Sequence, residues 1–357
     1  MRVLAALSVV ALSVAAACGG ASPQSAVDDP AAADGGGTSS GDPGTTTSDG
    51  GTTSAEGGPV ASGPDTVSII AEPSDKAAAL LAAIQAAKTS VHMTMYLLDD
   101  NRFIDALIAQ HTAGHDVKVV LNKSFPQGAG TNQKTFNALQ AGGVSVAWAP
   151  ATFTLTHEKS VLIDGSSAWI MTMNLEVSSP QNREYLALDT DPADVAEAEA
   201  IFAADFAGTA ITPSGKLLVA PVNARDGLVQ LIQSAKKSVD VEGEELSDYK
   251  ITDTLAAAQK AGVTVRVVLA NNAPTAAQSA SVSQLKAAGV HLVSLANPYV
   301  HAKALVADGA RAYVGSENFT TGSLLHNREL GLVTSNAASV ATVSQTIAKD
   351  FAAGNPL

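Results

Sequence analysis

The chain of 357 residues has a single cysteine, Cys18. An intramolecular disulfide is therefore impossible, and a disulfide-stapled scaffold or thiolate zinc cluster is excluded. Aromatic residues make up only 4% of the chain and charged ones 15%, so any core must be built largely from Ala, Val and Leu. The hydrophobic content of 46% supplies enough of them to rule out a wholly disordered chain. Basic residues are also scarce: 21 Lys and Arg stand against 34 Asp and Glu, a formal charge of -13. Proteins that coat nucleic acid usually carry the opposite balance, so that role is disfavoured, though a local basic pocket is not. No stretch reaches the roughly 20 continuous apolar residues of a membrane-spanning helix.

Residues 1–17 read MRVLAALSVVALSVAAA. One positive charge, Arg2, precedes a short apolar run and small residues, the pattern of a secretory signal peptide. The segment ends Ala15-Ala16-Ala17-Cys18-Gly19, which resembles the lipobox of bacterial lipoproteins, with Ala15 at the position where Leu is usual. That resemblance implies cleavage before Cys18, acylation of Cys18, and an extracytoplasmic protein that is lipid-anchored to the cell membrane or secreted. Residues 18–66 read as a tether, since 19–66 hold 12 Gly, 5 Pro, no aromatic residue and no base. Such a segment cannot bury enough apolar area to offset its ordering entropy. As a Gly/Ser coil it would reach roughly 35–40 Å.

From residue 67 the pattern becomes periodic α/β, with 291 residues in hand for two domains or one large unit. Ser74 caps a predicted Ala-rich helix running to Lys88; Ser90–Leu98 reads as a strand, Arg102–Ala113 as a helix and Asp116–Leu121 as a strand. The same order returns in Ala224–Lys237, Ser238–Glu242, Ile251–Ala261 and Val263–Leu269. Two phrases align, Ala113-Gly114-His115-Asp116-Val117-Lys118-Val119-Val120-Leu121 and Ala261-Gly262-Val263-Thr264-Val265-Arg266-Val267-Val268-Leu269. A second Ala-Gly turn follows each, at Ala141-Gly142 and Ala288-Gly289. This spacing indicates an internal duplication of about 145 residues, with halves 67–213 and 214–357.

Inside the duplication lie His157-Glu158-Lys159 ending at Asp164, and His301-Ala302-Lys303 ending at Asp308. Both read His-x-Lys-x-x-x-x-Asp. Alternation along an extended segment puts each His and its Lys on one side. Downstream, Met171-Thr172-Met173-Asn174 corresponds to Gly315-Ser316-Glu317-Asn318, and Asn182-Arg183-Glu184 to Asn327-Arg328-Glu329. His, Lys and Asn together can supply a nucleophile or acid and a cradle for phosphoryl oxygens. An acid such as Glu184 or Glu329 can orient a histidine.

On these paired motifs the chain resembles the phospholipase D superfamily over nearly all of 67–357. The resemblance implies an α/β fold of two pseudo-symmetric α/β/α halves with one active site at their interface. It implies that His157, Lys159 and Asn174 meet His301, Lys303 and Asn318 around one phosphate, with Asp164 and Asp308 as structural or electrostatic supports. It further implies a covalent phosphohistidine, with His157 as nucleophile and His301 as acid/base, and no metal or other cofactor. Met171-Thr172 stands where the second half has the small pair Gly315-Ser316; Thr172 keeps a hydroxyl, and the bulk of Met171 predicts an asymmetric site reached mainly beside one half. His92, His111, His115 and His291 read as packing, capping or surface residues, while His326 could approach the pocket. Glu242, Glu244 and Glu245 read as a solvated acidic cluster or, if near an active-site mouth, as one that prefers a cationic head group or repels a polyanion. Tyr96, Tyr299, Trp148, Phe153 and Trp169 read as core, with a few of them as the alternative lining of an acyl or head-group groove.

The leading functional reading is a secreted, membrane-tethered phospholipase D that hydrolyses the head-group phosphodiester of a glycerophospholipid and could also transfer the phosphatidyl group to an alcohol, as a monomer, since duplication supplies both half-sites. The alternatives are a phospholipase D-like nuclease, a cardiolipin-synthase-like phosphatidyl transferase, and a non-catalytic phosphate-binding module.

Overall fold

A computed structural model describes residues 65–126, 130–213 and 215–357. The signal peptide, Cys18 and nearly all of the tether lie outside the described residues.

The first half runs β1 (Ser68–Glu72), α1 (Ala78–Ala86), β2 (Ser90–Met95), α2 (Asn101–Thr112), β3 (Asp116–Leu121) and α3 (Gln133–Ala141). It continues with β4 (Ser145–Trp148), β5 (Lys159–Ile163), β6 (Ser167–Met171), β7 (Glu184–Asp189) and α4 (Pro192–Ala207). The second half repeats this order: β8 (Leu218–Ala220), α5 (Ala224–Ser234), β9 (Ser238–Gly243), α6 (Tyr249–Lys260), β10 (Thr264–Ala270) and α7 (Ala276–Ala287). Then follow β11 (His291–Leu295), β12 (Lys303–Ala307), β13 (Arg311–Gly315), α8 (Thr321–His326), β14 (Glu329–Thr334), α9 (Ala337–Ala353) and a short β15 (Asn355–Pro356).

The two sheets have matching strand orders, β1-β7-β6-β5-β2-β3-β4 and β8-β14-β13-β12-β9-β10-β11-β15. Parallel pairing of β2 with β3 and of β9 with β10 reflects the helical crossovers between them. The sequence alternates accordingly. Val117, Val119 and Leu121 of β3 face the core beneath α1 and α2, while Val120 faces a core shared by both halves. In β10, Val265, Val267 and Leu269 face the helices of their own half, and Val268 the shared core. That shared core also takes Val195, Ile201 and Phe202 of α4 and Val340, Val343 and Ile347 of α9. Each half is thus an α/β/α layer, and the two are joined by a shared apolar core in which β5, β6 and β7 meet β12, β13 and β14, with the apolar residues of α4 and α9 added to it.

One predicted cap is corrected. Ser74 does not cap α1; the helix begins after Ala77, and Glu72 accepts hydrogen bonds from the backbone N–H groups of Ser74, Asp75, Lys76 and Ala77. A buried carboxylate satisfying four amides of one turn outcompetes a single hydroxyl there.

Candidate active site

Each histidine motif stands at the start of a strand against the opposite half. Thr156 bridges Arg328, and Arg183 bridges Val300, both in parallel. His157 N donates to Arg328 O at 2.9 Å and His301 N to Arg183 O at 3.2 Å. The Asn-Arg-Glu segment of one half is therefore the bed on which the other half's histidine lies.

The glutamates are exchanged in consequence. Nδ1 of His157 is 3.0 Å from both oxygens of Glu329, and Nδ1 of His301 is 2.7 Å from Glu184 Oε1. An ionised carboxylate only accepts, so Nδ1 of His157 carries the proton and Nε2 presents its lone pair. Glu329 also receives hydrogen bonds from Ser316, Ser323 and Asn327. Burial alone would raise its carboxyl, but His157, Lys159 and the Ser323 hydroxyl hold it below the ordinary range. Thr172 Oγ1 donates to Glu184 at 2.5 Å, the role Ser316 plays toward Glu329.

Both lysines are fully buried. Lys159 Nζ donates to His157 O at 2.5 Å and lies 5.0 Å from the Tyr96 ring centre; Lys303 Nζ donates to His301 O at 2.6 Å. Desolvation pushes Lys159 down to about 7 and His157 down to about 4, with the nearby lysines adding to the effect on His157. Lys303 reaches across the seam to depress His157, so the two motifs form one electrostatic site. Asn174 and Asn318 follow β6 and β13 as the third pair of the repeated motif, and among the described residues their buried Oδ1 atoms accept no hydrogen bond. Two buried lysines and two histidines held by exchanged glutamates thus share one seam, and groups of these kinds can stabilise a phosphoryl oxyanion and attack phosphorus.

Asp164 and Asp308 lie outside this constellation. In turns at φ 57° and 56°, Asp164 accepts from the backbone of Lys88, Thr89 and Ser90, and Asp308 from that of Lys236, Lys237 and Ser238. They tie the far end of the motif strand to the residues leading into β2 or β9, which is a structural role. Among the described residues no group of three or more His, Cys, Asp or Glu could hold a metal ion.

Three expectations change. Met171 does not narrow the mouth of the site; it is fully buried in the first half's core, paired across the sheet with Leu186. Gly315 pairs with Gly331 at the same register, and a Cβ on Gly315 would lie 2.5 Å from Tyr313 Oη and 2.3 Å from Glu317 Oε2. The small pair makes room for the Tyr313–Glu317 hydrogen bond, not for substrate. The acidic cluster is not solvated either: Glu242 and Glu244 are buried, and Glu244 sits within the site. Its Oε2 is 3.1 Å from Lys303 Nζ and 3.5 Å from His301 Nε2, and Tyr299 Oη donates to its Oε1 at 3.0 Å. Finally, Tyr96 is more than core, packing edge-on to His157 with 4.6 Å between ring centres. His326 is exposed, and His92 is held by Glu199 and Asp116.

The sequence reading also missed the arginines of the Asn-Arg-Glu segments. Arg183 forks onto Asp350 of α9, and Arg328 onto Asp205 of α4, so each half grips the other's last helix. The signal was present: Asp205-Phe206-Ala207 recurs as Asp350-Phe351-Ala352, at the same 145-residue offset as the arginines.

Comparison with known proteins agrees with this geometry. The family model described as "Cardiolipin synthase, PLD-like domain" matches residues 80–206 and again 228–353. A cardiolipin synthase of Listeria welshimeri is 23% identical over 318 residues, covering 74% of this chain and 64% of its own length, so the chain spans about two thirds of that relative. Among solved structures, the phosphatidylserine synthase of Haemophilus influenzae superposes with TM-score 0.64 at 10% identity, covering 82% of this chain and 87% of its own. A polyphosphate kinase from Porphyromonas gingivalis gives 0.62 at 16% identity over 79% of this chain and 46% of its own. These two likenesses concern the fold. With both halves matched by one family model and both His-x-Lys motifs meeting at one seam, the chain belongs to the phospholipase D superfamily, in its family of cardiolipin-synthase PLD-like domains.

Proposed function

We propose that this protein transfers a phosphatidyl group from a phospholipid to an alcohol through a phosphohistidine on His157. The observation that carries this reading is the pair of imidazoles held by exchanged glutamates at one lysine-lined seam. Nε2 of His157 attacks phosphorus, the bond to the head-group oxygen breaks, and His301 gives that oxygen a proton. In the second step an alcohol oxygen attacks phosphorus, its proton passes to His301, and the bond to His157 breaks. Lys159, Lys303, Asn174 and Asn318 stabilise the non-bridging oxygens in both steps. Water in place of the alcohol gives hydrolysis, the outcome put first from sequence. Transfer is preferred because the similar curated proteins are cardiolipin synthases.

The test uses the purified protein with phosphatidylglycerol vesicles or single-stranded DNA, in EDTA. Head-group exchange is expected on the vesicles, lost in both His157→Ala and His301→Ala. Cut DNA with intact lipid would reverse the substrate assignment. Membrane attachment through Cys18 belongs to the same proposal. In a bacterial host, labelled palmitate should enter the wild type and not Cys18→Ser; equal labelling would refute the anchor.

A further inference from the structure

The two halves differ chemically at one matched position in the site. Met95 of β2 pairs with Lys159, and Gly243 of β9 pairs with Lys303. The next residue is Tyr96 in the first half and Glu244 in the second. Tyr96 turns an aromatic face to Lys159 and packs on His157 and Phe125. Glu244, 2% exposed, instead puts a carboxylate 3.5 Å from Nε2 of His301.

An anion beside a phosphate pocket demands an explanation, because it repels the phosphate and occupies one of the cradle's two lysines. Under the proposed reaction, on which this inference rests, the alcohol oxygen must lie at Nε2 of His301 whether it is leaving or arriving. Atoms attached to that alcohol then lie beside Glu244. A carboxylate offers about four acceptor sites, and Tyr299, Lys303 and His301 Nε2 face Glu244 here. A bound phosphate competes for the last two, so acceptor capacity on Oε2 is released as substrate binds. Tyr299 holds Oε1 and fixes the carboxylate plane.

We infer that Glu244 determines specificity on the alcohol side, selecting alcohols that carry a hydrogen-bond donor, hydroxyl or ammonium, next to the reacting hydroxyl. The aromatic first half then takes the other side of the diester. A buried carboxylate left without a donor discriminates strongly against an alcohol that cannot supply one.

Acceptor competition tests this. The full chain is given bis(4-nitrophenyl) phosphate, which can load His157 without any lipid, and in parallel phosphatidylglycerol vesicles. Each reaction contains equimolar glycerol and 1-propanol, or ethanolamine and choline. Glycerol over 1-propanol and ethanolamine over choline are each expected by about tenfold or more, a discrimination of roughly 1.4 kcal/mol. Glu244→Gln should bring both ratios within about threefold of one. Competing products form in one vessel, so the ratio is independent of the folded fraction. Should Glu244→Gln fail to fold, Tyr299→Phe carries the test, and the ratios should fall in the same direction. Ratios near one in the wild type, or unchanged in these variants, would overturn the inference. Selective transfer from the aryl diester with untouched lipid would defeat the phospholipid reading and leave Glu244's role standing. No turnover of either substrate would overturn both.

Discussion

His157 and His301 share a sequence motif yet meet different surroundings. His157 is buried against Tyr96, and desolvation there holds its imidazolium at about 4, well below the ordinary value. A nucleophile must be deprotonated, so this ring stays competent as pH falls through the range where a solvated histidine is lost. Lys159 is bound by the opposite condition. Desolvation brings it to about 7, and above that it loses the charge that attracts a phosphodiester. With an aryl diester, whose leaving group needs no acid, kcat/KM should therefore be bell-shaped, with limbs near 4 and near 7. Lys159→Arg keeps its charge and should carry the alkaline limb upward by more than one pH unit. An acid limb near 6.5 would instead place His157 in contact with water.

At the scale of elements, the site depends on how the last helix of each half is held. Arg183 and Arg328 are buried, and each forks onto an aspartate of the other half. The backbone of Arg183 also bonds Tyr299 O and His301 N, so the fork and the catalytic histidine share one short segment. Asp350→Ala leaves a buried guanidinium without its counter-charge and is expected to cost about 3–5 kcal/mol. Arg183→Met with Asp350→Leu should cost much less than the sum of the two single changes, read from urea unfolding. Additive costs would mean that the pair is not coupled.

These forks also mark where sequence reading stopped. The strands and crossover helices through β3 and β10 were legible because alternation and Ala-Gly turns announce them, and Asp116–Leu121 agrees at both ends. The histidines, lysines and asparagines were legible because they recur at a fixed offset. The helices α4 and α9 were not: both are Ala-rich, and their apolar residues join the core shared by the two halves, so neither shows a sharply contrasted polar face. Glu244 was hidden for another reason. Three acids in four residues read first as solvated until the long-range partners Lys303, His301 and Tyr299 are known.

Over the whole molecule, the burial that creates the site also creates a linkage between pH and stability. Glu158 is raised to about 7, and Glu242 and Glu317 to about 8, in each case chiefly by desolvation. Unfolded, these carboxyls would titrate near 4.5. Between that value and about 8 the folded chain binds more protons than the unfolded one, so their contribution is complete below 4.5 and is lost as pH rises through 7–8. Lys159 opposes them above about 7, because its depressed value makes the fold bind fewer protons there, but it is one group against three. His157 acts at the other end, contributing fully above 6.5 and losing its contribution as pH falls toward 4. Thermal unfolding should therefore show a midpoint that drops by several degrees between pH 6.5 and 8. Glu317→Gln cannot ionise and can still accept from Tyr313, so it should flatten that drop without moving the acid side. A midpoint that climbs over the same interval would mean that these carboxylates are ionised in the fold and held by partners, and that the region behind the second motif is wetter than its packing implies.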